Sequence, residues 1–195
     1  MAALLLTETV QHSLFYLHQP IFILYLDAKS AFDVVQLELL VKNLYHCGTD
    51  PTSLLVINNR LENRSTCLEW NKELVGPIQD ERGLEQGGVN SGEFYKIFAK
   101  EQLHNAQSSG LGVQMNNLVI SGIGQADDTA LVSNCPHKLQ NLLHLSSSFC
   151  SKYQVQLCPE KNKLQVMSTP RMAEKVYYQK MTSQIKLPGD TNQVH

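Results

Sequence analysis

The chain predicts an α+β fold built on an antiparallel sheet, and three observations lead there. An uninterrupted apolar run, Ile21–Leu26, has the length of a strand and runs into Asp27. Two stretches, 66–78 and 111–133, break into short apolar segments around Asn, Asp and Gly, as hairpins do. Segments with helical periodicity lie between them, but without the regular alternation of a doubly wound parallel sheet.

The elements follow in order. Residues around 6–18 form a helix with Leu6, Val10, Leu14 and Leu17 on one face, and Pro20 breaks it. Ile21–Leu26 is the strand. A second helix is expected from about Ala31 to His46, started by Ser30 or Asp33 as cap and stopped at Gly48. Asp50-Pro51 opens a third, reaching about residue 63, because Asp caps well and Pro suits the first helical position. Thr66–Trp70 and Glu73–Ile78 make a hairpin turning at Asn71-Lys72. The glycine-rich RGLEQGGVNSG leads to a helix from about Glu93 to Ala106. Leu111–Met115 and Asn117–Ile123 read as strands, and Thr129–Ser133 pairs back after a turn at Asp127-Asp128. A helix over about His137–Lys152 and short strands near Gln154–Leu157 and Leu164–Met167 complete the pattern.

Composition narrows the class. At 195 residues, with 43% hydrophobic and 17% charged side chains, the chain suits one domain with a sizeable core rather than disorder. Net charge is only −2, but it is unevenly spread. From Ser151 onward seven Lys or Arg stand against three acids, which leaves a basic end of +4 and a body of −6. Five cysteines without a CxxC pair argue for free thiols, not a disulfide framework or zinc site. The seven histidines show no HxxxH spacing. The opening MAALLLTE is not a signal peptide, and no apolar run approaches a membrane span. The expectation is a soluble intracellular protein with no membrane partner, in nucleus or cytoplasm.

Two acidic positions draw attention: Asp27 at a strand end, and Asp127-Asp128 at the expected tip of a hairpin. Two-residue turns favour Asn-Gly or Asp-Gly, so adjacent like charges are a poor local choice there. A divalent cation relieves such repulsion, and three carboxylates could hold two Mg²⁺ for in-line displacement at phosphorus. Taken alone, the Asp pair is better read as a solvated turn. Asp33 is better explained as a cap or first-turn charge than as a ligand.

Four segments in order, LDAKSAFD at 26–33, GLEQGG at 83–88, GQADDT at 124–129 and LCPEKNKL at 157–164, resemble motifs A to D of reverse transcriptases, specifically the non-LTR (LINE-type) retrotransposon group. The resemblance runs from about residue 5 to 168. It implies a polymerase palm-like antiparallel sheet backed by helices over residues 1–169, truncated so that fingers and thumb are largely missing, and a polar, flexible tail over 170–195. It implies an RNA-directed DNA polymerase that adds dNTPs to a primer 3′-hydroxyl, with an RNA template and DNA primer as partners.

By the same resemblance Asp27, Asp127 and Asp128 are the catalytic ligands of two Mg²⁺ ions. Phe32 matches the aromatic gate that excludes a ribose hydroxyl, although a core Phe at a helix start would look the same. Gln86 and Gly87 match the pair beside nucleotide and template, where Gly permits close backbone approach; a flexible loop is the plainer reading. Lys161 matches the lysine near the leaving pyrophosphate, with Lys163 as rival and a solvated surface lysine as alternative to either. Three positions depart from the pattern. Gln125 replaces an aromatic residue, Gly88-Val89-Asn90-Ser91-Gly92 replaces a Pro-Leu-Ser-Pro-like segment, and Cys158 replaces Asn. With little basic charge to grip a duplex, the isolated chain is expected to be a weak polymerase or none. The competing expectation is a non-enzymatic retrotransposon remnant that at most binds nucleic acid or protein. A phosphohydrolase using Asp27 as nucleophile would need an acid at position 29, where Lys29 stands.

Overall fold

Helix α1 (Ala2–Gln11) passes into a wider π-type turn at His12–Tyr16, and the apolar run that follows forms strand β1 (Ile21–Leu26). The computed structural model describes residues 1–62 and 64–169, so the tail expected from 170 and the end of the third helix at 63 lie outside the described residues. After β1 come β2 (Ala28–Lys29), α2 (Leu37–His46), α3 (Pro51–Glu62), β3 (Ser65–Trp70) and β4 (Glu73–Gln79). Then follow α4 (Ser91–Ser108), β5 (Val113–Met115), β6 (Leu118–Ile120), β7 (Gly122–Gln125) and β8 (Asp128–Ser133). The chain continues through α5 (Pro136–Tyr153), β9 (Gln156–Leu157) and β10 (Lys163–Met167). The fold is α+β with antiparallel pairing throughout, as expected.

Two compact units are present: Met1–Lys29 with the described residues from Ala99 onward, and Ser30–Phe98. The first is organised by a four-stranded antiparallel sheet in the order β10-β1-β8-β7. β1 pairs on both edges, Phe22 opposite Val166 on one side and opposite Ser133 on the other. Its alternate residues therefore enter two different cores, which explains why it reads as continuous apolar sequence. Phe22, Leu24 and Leu26 pack with Leu131 and with Leu139, Leu142 and Leu143 of α5. Ile21 and Ile23 pack with Val132, Ile123 and Ile120, and Leu6 and Val10 of α1 lie against that side. Burying each such side chain contributes roughly 1.5–3 kcal/mol. β7 reaches α4 closely because it carries glycine: a Cβ on Gly124 would stand 2.7 Å from Leu103 Cδ1.

In the second unit, α2 ends in two reverse hydrogen bonds, Gly48 N–H to Tyr45 O and Thr49 N–H to Leu44 O, with Gly48 at φ +85°. This is a Schellman stop, and it needs the positive φ that glycine adopts freely. Asp50 caps α3 by accepting from the N–H groups of Thr52 and Ser53 at 3.1 and 2.9 Å. The β3–β4 hairpin turns at Asn71 and Lys72, both at positive φ, as a type I′ turn demands.

Three local expectations need correction. The second helix begins at Leu37, not near Ala31, and neither Ser30 nor Asp33 caps it; its N-cap is Gln36 without a side-chain bond. Ser30 sits at φ +50° and accepts the Asp33 N–H, so 30–33 is a turn. The strand expected over 117–123 is two strands separated at Ser121. The hairpin before β8 turns at Ala126-Asp127 rather than Asp127-Asp128, because Gln125 and Asp128 are register partners. Ala126 takes the positive φ (+54°), so the turn does not impose that strain on the aspartates. No helix among the described residues is long and apolar enough to cross a membrane.

Candidate active site

Register brings the acidic positions to one end of one sheet. Leu26 of β1 pairs with Thr129 of β8, so Asp27, next after Leu26, and Asp128, just before Thr129, both adjoin that end of the ladder, with Asp127 in the turn before β8. Asp27 and Asp127 are partly buried and Asp128 is exposed. A cleft of about 310 Å³ at Asp128 is lined also by Leu6, Tyr25, Ile123 and Gln125.

Asp27 itself leaves the strand ladder. Its N–H donates to Asn162 Oδ1 at 3.1 Å, and its carbonyl accepts the Cys158 N–H at 2.8 Å. Both main-chain groups are thus held by the turn between β9 and β10. That turn is closed by the N–H groups of Lys161 and Asn162 on Cys158 O. Position 158 thus contributes both its main-chain N–H and its carbonyl to this arrangement. Lys161 places Nζ 3.2 Å from Asp27 Oδ2, and its ammonium pKa is raised, chiefly by hydrogen bonding to Asp27 and by that carboxylate's charge, with Cys158 and Asp127 adding. Lys163, the rival, stands in β10 opposite Tyr25. Asn162 lies within the segment 157–164 noted in the sequence but was not itself singled out, and no local signal marks its contact with a residue 135 positions away.

The other expected site residues belong to the second unit. Phe32 is half-buried, its ring 5.3 Å from that of Tyr95 at 40°, which is the packing a core Phe makes. Gln86 and Gly87 are exposed at the centre of a turn closed by Gly88 N–H on Glu85 O at 3.2 Å. Gly87 has φ +82° and no atom within 4 Å of where a Cβ would be. Gly83, in the same motif, packs its α-carbon on the main chain of Asp33, where a Cβ would stand 3.0 Å from Asp33 O.

Among the described residues, no three His, Cys, Asp or Glu side chains are gathered closely enough to hold a metal ion. The donors nevertheless fit a hard divalent cation in kind. They are carboxylate oxygens, and a positive charge already rests against one of them in the form of the Lys161 ammonium.

The sequence profile of the family described as "Reverse transcriptase (RNA-dependent DNA polymerase)" matches residues 3–189. The chain belongs to that reverse transcriptase family. No curated protein matches it in sequence. Among solved structures it is similar to telomerase from Candida tropicalis in complex with a fragment of telomeric RNA, with TM-score 0.62 and 14% identity over 87% of this chain and 29% of that one. The corresponding Candida albicans complex gives TM-score 0.62 and 14% identity over 84% and 30%. The apo Candida tropicalis enzyme gives 0.60 and 13% over 87% and 32%. At such identity the likeness is one of fold, and the chain spans about a third or less of those chains.

Proposed function

We propose that this chain is the nucleotidyltransferase core of an RNA-directed DNA polymerase of the non-LTR retrotransposon group, extending a DNA primer on an RNA template. What supports the reading is that the pairing of Leu26 with Thr129 leaves Asp27 and Asp128 adjoining one sheet end, in a chain of the reverse transcriptase family. Asp27, Asp127 and Asp128 would hold the divalent ions, two Mg²⁺. When bound, such ions supply Lewis acidity that favours the primer alkoxide and neutralises triphosphate charge.

The chain's own side chains have separate tasks. Lys161, already cationic and largely exposed, is suited to meet the charge that develops on the departing pyrophosphate. Phe32 excludes a 2′-hydroxyl by bulk. Gln86 and Gly87 offer a surface for base and template, and the open space over Gly87 leaves room for close approach. The small net charge of −2 gives weak hold on a duplex, so synthesis by this chain is slow and distributive.

Primer extension on poly(rA)/oligo(dT) with Mg²⁺ and excess protein tests this. Slow dTMP addition that disappears in Asp27→Asn and Asp128→Asn is the expected outcome. Addition indifferent to both substitutions, or none at any protein concentration, would refute it. One observation favours a second reading, a non-enzymatic module that binds nucleic acid or protein: the acidic side chains do not form a ready cluster among the described residues. Retention of the duplex in a gel shift without any extension would support that reading.

A further inference from the structure

Asn162 is buried, 7% exposed, in a surface turn whose neighbours Glu160, Lys161 and Lys163 are all exposed. Its Oδ1 accepts the N–H of Asp27, while its Nδ2 has no hydrogen-bond partner. Burying an unpartnered amide nitrogen is unfavourable, so local stability is a poor account of an Asn at this point. The bond it does make has a specific consequence. Without it, the Asp27 N–H would have no acceptor just where β1 leaves the ladder, and the peptide carrying the carboxylate would be free to rotate.

We propose that Asn162 is a positioning residue that fixes the Asp27 carboxylate for cation binding by accepting the Asp27 main-chain N–H. This rests on the polymerase reading above and deepens it. Cys158 N–H holds the Asp27 carbonyl from the other side, so the β9–β10 turn grips the peptides flanking the Asp27 α-carbon. With the backbone fixed on both sides, only side-chain rotation is left to the ligand. Groups that orient a metal ligand from behind typically change metal affinity by roughly 10–100-fold when removed.

The test is Mn²⁺ binding by the full 195-residue chain, read from the loss of the free-ion paramagnetic resonance signal. The wild type is expected to bind, Asp27→Asn to lose binding, and Asn162→Leu to bind roughly tenfold or more weakly. Ser146→Ala, a change at another buried polar group without a partner, in α5, should bind as the wild type does. Hydrogen exchange supplies the second readout: the Asp27 amide should be protected in the wild type and exchange freely in Asn162→Leu. If Asn162→Leu shows no cooperative melt, Asn162→Ser, whose hydroxyl falls short of the same N–H, is judged by the same two criteria. Unchanged Mn²⁺ affinity together with an Asp27-dependent wild-type site would overturn the positioning role alone. No binding, or binding that survives Asp27→Asn, would overturn the polymerase reading and this role with it.

Discussion

Lys161 Nζ lies 3.2 Å from Asp27 Oδ2, though 134 residues separate the two in the chain. The lysine side chain is 67% exposed and the aspartate 28%, so the pair is open to water and to competing ions. Lys161 thus holds the place of a cation at the candidate ligand and can yield it.

The first prediction follows from that competition. Removing a positive charge at this distance in a watery setting should tighten cation binding by roughly fivefold. Lys161→Ala is therefore expected to bind Mn²⁺ more tightly than wild type while extending primers more slowly. A titration and a single-turnover extension assay measure the two effects, and equal weakening of both would contradict the assignment.

Alkaline pH should expose the buried thiol of Cys150. Burial raises its pKa from 9.0 to about 11. The folded state thus favours the neutral thiol, and the associated stability is complete below pH 9 and lost as pH climbs towards 11. Melting curves of wild type and Cys150→Ala should differ in slope over that window. At pH 8 iodoacetamide should label the exposed Cys47 and Cys67 well before Cys150, as peptide mass spectrometry would record.

Gly112 tests the approach of the loop before β5 to β6. A Cβ there would collide with Ile120 O, a main-chain atom that cannot swing aside. Gly112→Ala should lose about 1–3 kcal/mol in urea denaturation. Gly124→Ala meets only the end of the Leu103 side chain, which can rotate, and should cost less.

The cap of α3 makes an acid-side prediction. Hydrogen bonds from Ser53, side chain and main chain, lead in holding the Asp50 carboxyl below its ordinary value of 3.8. A depressed folded pKa means the contribution is present above 3.8 and disappears as pH falls through the lower value. Asp50→Ala should lower the melting temperature slightly at pH 7 and leave it unaltered in strong acid.

How much of this was legible depended on distance along the chain. Asp50-Pro51 marked a helix start because the cap bonds reach only to Thr52 and Ser53. Gly48 marked a stop for the same reason. The hairpin at Asn71-Lys72 also came from its own two residues. The helix start at Ala31 was misread because the turn at Ser30 follows a pairing of Ala28 and Lys29 with Leu157 and Gln156, more than a hundred residues away. The turn at Ala126-Asp127 was displaced by one residue, since the pairing of Gln125 with Asp128 sets the loop length.

By itself the sequence determined which residues could be strand, helix or turn, and placed an acid after Leu26 and two more before Thr129. Periodicity and capping are local properties, settled within a few residues of backbone. Only the tertiary structure decided that Lys161, not Lys163, reaches Asp27, and that a buried Asn162 holds the Asp27 N–H. Those contacts arise because the antiparallel register of β1 with β8 and β10 brings distant segments to one sheet end, and a residue's spacing along the chain carries no record of that register.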